Sequence, residues 1–110
     1  MKLNDVSYSL IDWQNVESTE VKGITGHAFW KTKKFNDLRI RIIEKSPGYR
    51  ADHYCKKGHV IYVIDGEMVI DFENGEKFSV SAGQTVFLGD DPEFGHSTFT
   101  ENGIKYFIID

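Results

Sequence analysis

Apolar and polar residues alternate along much of this chain in short segments, with glycine, asparagine and aspartate between them. In the segment LRIRII, which begins at Leu38, the period of two predicts a half-buried strand. We expect Leu38, Ile40 and Ile42 to share its inward face. Arg39 and Arg41 would then face solvent or an interface, the alternative being that they bind the carboxylate of a substrate.

The second half of the chain continues as strands and tight turns. The segment VIYVI, residues 60–64, predicts a strand covered on both faces, and the Asp65-Gly66 that follows it is a hairpin signal. Further turns are predicted at Asn74-Gly75, Ala82-Gly83 and Asn102-Gly103. Near the start, SLIDWQNVE is either one short helical turn or an edge strand. Short strands at this regular spacing predict an all-β antiparallel sandwich or barrel.

Composition and charge narrow the class of protein. With 110 residues and 40% hydrophobic content, the chain is long enough for one domain with a core. Its 13 basic and 17 acidic residues give a formal net charge of -4 without basic runs, so we do not expect nucleic acid as a partner. No apolar segment approaches the roughly 18 residues of a spanning helix, and the N-terminus lacks the features of a signal peptide. A cytoplasmic protein without membrane contact is predicted.

Three soft donor side chains are concentrated in the stretch ADHYCKKGHVIYVIDG, which begins at residue 51. A single cysteine cannot form an internal disulfide, so Cys55 is a buried apolar side chain, a reactive group or a metal ligand. If this segment is a strand, His53 and Cys55 project from one face, and His59 returns beside Cys55 after the turn KKG. On the following strand His59 would be the first residue of a row of apolar side chains that face inward. His96, at the start of a later strand, is a fourth candidate donor.

This arrangement resembles the first motif of the cupins, small β-barrels in which the motif runs Gly, five residues, His-x-His, three or four residues, Glu, six residues, Gly. The chain has Gly48, His53-x-Cys55, His59 and Gly66, with the first spacing one residue short. Cys55 takes the place of the second histidine and His59 that of the glutamate.

A second cupin motif and a shorter string extend the resemblance over approximately residues 26–110. The second motif is approximated by Gly83, Gly89, Pro92, Gly95 and His96. The string ADHYCKKGH with a downstream GHS is similar to that of the small cupins called DHCW-motif cupin fold proteins. The resemblance implies a single cupin-type antiparallel β-barrel, a small jelly roll.

The resemblance also implies a metal held at four matching positions, His53, Cys55, His59 and His96. Imidazole and thiolate together suit Zn, Fe, Ni or Cu, whereas loss of the carboxylate disfavours Mg, Ca and Mn. Zinc is the first choice, with Fe or Ni as alternatives. Four protein ligands would close a tetrahedral zinc site, whereas three ligands and a water would leave an open catalytic position, and the sequence leaves both possible. The remaining alternative is a cupin pocket without metal.

Two classes of function follow from the resemblance. One is a metal-dependent enzyme, oxygenase- or isomerase-like, acting on a small polar molecule inside the barrel. The other is a non-catalytic domain that binds a metal or small ligand for stability or sensing. No catalytic residue is assigned, because His59 stands where the motif has its glutamate. Residues 1–25 are expected to form an arm that packs on the barrel of residues 26–110 or on the partner in a homodimer.

Overall fold

The computed structural model describes residues 3–91 and 93–110, so Pro92 of the second motif lies outside the described residues. The predicted all-β fold is confirmed. In this part of the chain, regular structure consists of one short 3-10 helix, Trp13–Asn15, and the strands β1 Thr19–Lys22, β2 His27–Phe35, β3 Leu38–Lys45, β4 His59–Phe72, β5 Lys77–Ser81, β6 Thr85–Leu88, β7 His96–Phe99 and β8 Ile104–Ile109. None of the described helical residues forms a helix long and apolar enough to cross a membrane.

The strands form an antiparallel barrel of two sheets that have β4 in common. The first sheet has the order β1-β2-β3-β8-β4-β6, and it uses the first half of β4. In the second sheet, the latter half of β4 lies between β5 and β7. The apolar core fills the space between the two sheets, with Val63, Met68 and Ile70 of β4 almost completely buried.

The Asp65-Gly66 dipeptide does not form the predicted hairpin, because the chain runs through it as part of the 14-residue strand β4. The register against β8 shifts between Val63 and Asp65, which is a β-bulge. Gly66 adopts φ +84°, in the left-handed region that favours glycine. A Cβ at Gly66 would also collide with the carbonyl oxygen of Gly103. Here the turn-type residues produce a bend that carries one strand from the first sheet into the second. The other three predicted turns are confirmed.

Strand β3 turns the opposite face inward from the one predicted. The residues expected inside lie half-buried on the outer face of the sheet: Leu38, Ile40 and Ile42. Arg41, Ile43 and Lys45 are buried instead. The barrel accepts these charges because each has an internal partner. Arg41 Nη2 donates to Oδ2 of Asp110 at 3.0 Å, and Lys45 Nζ donates to Oγ1 of Thr98 at 2.8 Å.

The first half of β4 is buried on one face only. Its inward row, from His59 to Val63, is confirmed. On the opposite face Val60, Tyr62 and Ile64 are 37%, 47% and 43% exposed, so the predicted cover on both faces is wrong for the described chain. The physical reason is that the described N-terminal segment covers only part of this side of the first sheet, around Phe107, and leaves these three side chains partly exposed.

The described part of the N-terminal segment lies against the first sheet. Trp13–Asn15 forms the short helical turn that was one of the two alternatives for this region, and β1 pairs with β2. The Trp13 ring packs edge-on against Phe107, with 6.5 Å between centroids. Lys31 Nζ donates a hydrogen bond to the carbonyl oxygen of Trp13 at 2.8 Å. The segment therefore covers part of the outer face of the sheet.

Candidate metal centre

The loop of residues 51–58 positions the first donor, and it is not the strand that was predicted. An isolated antiparallel bridge joins it to β7: the N–H groups of Cys55 and His96 donate to each other's carbonyl oxygens at 2.7 and 2.8 Å. Directly opposed residues of this kind carry their side chains on the same face. The Gly58 N–H donates to Oδ1 of Asp90 at 2.6 Å, so the loop is held by a neighbouring loop in place of a continuous strand ladder.

Three of the four candidate ligands meet at this bridge: Cys55, His59 and His96. Their ligand atoms all lie within 4.8 Å of one another. His59 Nε2 is 3.6 Å from Cys55 Sγ, and the centroids of the two imidazole rings are 5.0 Å apart. A zinc ion at about 2.3 Å from sulfur and about 2.0 Å from nitrogen, with a tetrahedral angle, would place those two atoms about 3.5 Å apart. The donors and their spacing fit a transition metal.

His53 stands apart from this cluster. Its side chain is 71% exposed, and Nδ1 lies 2.7 Å from Oδ1 of Asp52. Strand parity would have placed Asp52 on the opposite face from His53, but parity does not apply in the irregular loop. His53 borders the same cavity as the other three donors. Its role as a fourth ligand stays a prediction.

A buried carboxylate lies behind the His59 ring. His59 Nδ1 is 2.9 Å from Oδ2 of Asp110, a close charge contact that lacks hydrogen-bond alignment. Arg39 donates two hydrogen bonds of 2.9 Å to the same carboxylate. Histidines that bind metals commonly have a carboxylate at the second ring nitrogen, which fixes the orientation of the ring. Asp110 therefore leaves Nε2 of His59 as the atom that faces Cys55.

Burial keeps both imidazoles of the cluster neutral near pH 7. Desolvation lowers the pKa of His59 to about 4, against the opposing effect of the Asp110 charge. Desolvation and the charge of Lys45 also lower the pKa of His96. Burial alone would raise the pKa of Asp110, but hydrogen bonds from Arg39 help to lower it to about 2. Neutral imidazoles have the free lone pair that a metal requires.

A cavity of about 140 Å³ extends from the three donors into the barrel. Its wall includes the cationic side chains of Arg39, Arg41 and Lys45. None of the described residues that line it is a carboxylate, since Asp110 lies behind the wall. The aromatic rings of Tyr49 and Tyr106 form part of the same wall. The site therefore combines soft metal donors with a cationic pocket.

Sequence reasoning overlooks Lys45 and Asp110 in this site. The signal for Asp110 is its parity in the segment IKYFIID, where it follows Ile104, Tyr106 and Ile108 on one face. Those three residues are buried, so a carboxylate that continues the same row also points inward. The signal for Lys45 is weaker, because apolar residues stand on both faces of β3 and do not decide which face is inside.

Comparison with solved structures finds the same fold at low sequence identity. An RmlC-like cupin from Shewanella frigidimarina superposes with a TM-score of 0.69 at 21% identity, over 94% of this chain and 89% of that one. The polyketide cyclase RemF from Streptomyces resistomycificus gives a TM-score of 0.70 at 15% identity, over 94% and 78%. A predicted oxalate decarboxylase from Thermotoga maritima gives 0.69 at 16% identity, over 92% and 96%.

The sequence itself matches no family model and no curated protein. At identities this low the structural likeness establishes the architecture and not an activity. The two sheets with a common strand, and the solved structures that superpose on them over almost the whole chain, lead to one conclusion: this chain is a small protein of the cupin fold.

Proposed function

We propose that this chain is a metal-binding cupin in which Cys55, His59 and His96 hold one divalent transition metal at the cavity wall. The observation that carries the proposal is the convergence of a thiol and two neutral imidazoles within 4.8 Å. The resemblance of the loop sequence to the DHCW-motif cupins supports the same assignment. Zinc is the metal we favour, because one thiolate and two imidazoles are donors of intermediate softness, with Fe or Ni as alternatives.

Cys55, His59 and His96 would leave a tetrahedral metal one position for water or substrate, as in catalytic sites. We therefore propose an enzyme, oxygenase- or isomerase-like, that acts on a small polar molecule. The metal would supply a Lewis acid and would lower the pKa of a bound water. Residues of the chain have the other roles: Asp110 orients His59, Arg41 provides fixed positive charge in the pocket, and Lys45 adds to that charge when it is protonated. His59 does not move protons in this scheme, because its Nε2 lone pair binds the metal.

A closed, non-catalytic site is the alternative, and the position of His53 favours it. His53 borders the same cavity, and rotation of its exposed side chain away from Asp52 would offer a fourth ligand. A site with four protein ligands serves stability or sensing.

Cobalt substitution tests the assignment of ligands. The chelator-treated protein would be titrated with Co²⁺, and thiolate coordination would be followed by its charge-transfer absorption in the near ultraviolet. We expect one equivalent to bind with this absorption in the wild type, and the absorption to disappear in Cys55→Ser. His27→Asn is the control, because His27 is an exposed histidine paired with Glu20 outside the cluster. Retention of the absorption in Cys55→Ser, or of wild-type affinity in His59→Asn, would reject the proposal.

His53→Asn separates the open site from the closed one. In an open site this substitution leaves the cobalt spectrum and affinity unchanged. In a closed site it changes the visible ligand-field bands and weakens metal binding at least tenfold, since one of four ligands is lost. Elemental analysis of the protein as purified would identify the metal that it carries.

We also propose that the protein is a cytoplasmic homodimer. The outer face of β4, with half-exposed Val60, Tyr62 and Ile64, continues onto Phe87 of β6, which pairs with Val60 and is 77% exposed. A contiguous apolar patch on a sheet is typical of a surface that a partner covers. A second copy of the chain would bury the same patch on both subunits, as a two-fold interface does.

A further inference from the structure

Two buried cations in the barrel have more hydrogen-bonding capacity than the described protein satisfies. Lys45 is 8% exposed, and its ammonium donates a hydrogen bond to a neutral hydroxyl, Oγ1 of Thr98. The rings of Tyr49 and Tyr106 lie 4.9 and 5.1 Å from Nζ. Within the described part of the chain no carboxylate oxygen lies within 4.0 Å of this ammonium.

The guanidinium of Arg41 also has a hydrogen-bond donor that the described residues leave without a partner. One of its terminal nitrogens donates to Asp110, but its Nε is buried without a hydrogen-bond partner. Its guanidinium stacks 4.6 Å from the ring of Trp30, which fixes the plane of the group. A buried donor without an acceptor is costly, and an anion close to the guanidinium would offset part of that cost through its charge.

The charges of the pocket do not balance. Arg39, Arg41 and Lys45 line the cavity, and Asp110 is the carboxylate that neutralises part of this charge from behind the wall. Burial and the nearby charge of Arg41 lower the pKa of Lys45 to about 7. An anion in the cavity would stabilise the protonated ammonium. An uncharged ligand would leave the cations without a counter-charge.

We infer that the cavity binds a small organic carboxylate, with its carboxylate group received by Arg41 and Lys45 and its other end directed at Cys55, His59 and His96. The volume of 140 Å³ is about that of four or five water molecules, which limits the ligand to a few carbon atoms. Ile43, Ile61 and Ile108 line the same space and favour an organic anion over an inorganic one. The inference names the substrate class of the site proposed above and rests on that proposal for its catalytic meaning.

The test uses chelator-treated protein, so that its outcome is separate from metal binding. Acetate, malonate and succinate would be titrated at constant ionic strength, with acetamide and malonamide as uncharged analogues and sulfate as the inorganic control. Binding would be measured by calorimetry and by the shift in melting temperature. We expect saturable binding of at least one carboxylate, with uncharged analogues and sulfate at least tenfold weaker.

Lys45→Met removes the ammonium and keeps the length of the side chain. Loss of one charge-assisted hydrogen bond should weaken carboxylate binding roughly 10- to 100-fold. Lys33→Met, at an exposed lysine on β2, should bind as the wild type does. Because the titration uses chelator-treated protein, a wild type that binds the carboxylate but fails to bind Co²⁺ would refute only the metal site, whereas one that binds Co²⁺ but no carboxylate would refute only this inference. Absence of saturable carboxylate binding, equal binding of sulfate, or unchanged affinity in Lys45→Met would each overturn the inference.

Discussion

Cys55 is either a metal ligand or an inert core side chain, and the two interpretations predict different effects of Cys55→Ser on stability. Serine keeps the size of the side chain but loses the thiolate. If Cys55 binds the metal, Cys55→Ser should lower the melting temperature of the metal-loaded protein and leave that of the chelator-treated protein almost unchanged, because binding free energy adds to folding only when metal is present. Melting curves of both proteins, with and without metal, give the double difference.

A similar loss with and without metal would identify Cys55 as an apolar filler, because a hydroxyl then replaces sulfur in the same buried contact in both states. In that case any metal would be held by histidines alone. His27→Asn, measured with and without metal in the same way, shows how much metal raises the melting temperature of a variant whose cluster is intact.

Lys45 makes the stability of the barrel depend on pH in the alkaline range. Its folded-state pKa is lowered from 10.5 to about 7 by burial, with a smaller effect from Arg41. Between these two values the unfolded chain binds more protons than the folded one, so the free energy of unfolding should rise with pH across this window. Below about pH 7 the full cost of burying the charge is present.

Lys45→Met should therefore be more stable than the wild type at pH 6, by up to about 5 kcal/mol, and this advantage should shrink as the pH approaches 10. Arg41, Tyr49, Tyr106 and His96 surround the ammonium. The Lys45 charge lowers the pKa of His96, so the titration of His96 also contributes to the difference between the two proteins at acidic pH. Urea unfolding of the two proteins and of Lys33→Met, in buffers without carboxylates, gives the measurement. A Lys45→Met curve parallel to the wild type at all pH values would show that the ammonium is not desolvated.

Some residues of the candidate site could be predicted from the sequence and others could not. Cys55, His59 and His96 could be recognised because their spacing follows a known motif. His53 has the same motif support, but the loop geometry that turns it toward Asp52 depends on contacts between residues far apart in sequence. Arg39 and Arg41 were interpreted as facing solvent or an interface, because sequence alone does not show that the carboxylate of Asp110 lies buried beside them.

At the scale of elements, the bulge of β4 depends on a single glycine. Gly66→Ala would force an L-residue into φ +84° and place its Cβ against the Gly103 carbonyl, whereas Gly75 has φ +90° and open space around it. Gly75→Ala should cost about 1 kcal/mol from backbone strain alone. Gly66→Ala should cost at least 2 kcal/mol more, because the two strands must also move apart.

Chemical denaturation of both variants at one pH measures the difference between their free energies of unfolding. The dependence of that free energy on denaturant concentration is compared between the two variants. Equal costs for Gly66→Ala and Gly75→Ala would show that β4 and the Gly103 turn can separate freely. The prediction of strands was successful on both sides of the turns at Asn74-Gly75, Ala82-Gly83 and Asn102-Gly103, whereas the strand expected before the KKG turn is a loop. The prediction also failed at Asp65-Gly66, since a hairpin and a bulge both need a residue at positive φ and local sequence does not distinguish the two.

For the whole molecule, the exposed face of the first sheet predicts the oligomeric state. Tyr62→Lys would place a charge in the middle of the apolar patch and should convert a dimer into a monomer of 12.6 kDa. Sedimentation velocity at micromolar concentration, with circular dichroism to verify folding, gives the result. Ile24→Lys, at a 69% exposed loop residue, is the matched control and should leave the dimer intact.

A wild-type protein that sediments only as a monomer would reject the dimer.

The barrel itself was predictable because the motif and the turn spacing agree. The uncovered outer face was not, since an apolar segment such as VIYVI looks the same whether its second face meets the same chain or another one.

The place of β8 between β3 and β4 has a consequence for how the protein is made. Strands β3 and β4 follow one another in the sequence but do not pair, and each forms its ladder with β8. On the ribosome, every earlier strand of the first sheet is therefore synthesised before the strand that joins them. The nascent chain would expose two unpaired edges until β8 emerges, a state open to wrong pairing with other chains. Folding of the first sheet should accordingly be completed only after release of β8, and slow synthesis of the preceding region would not help it to fold.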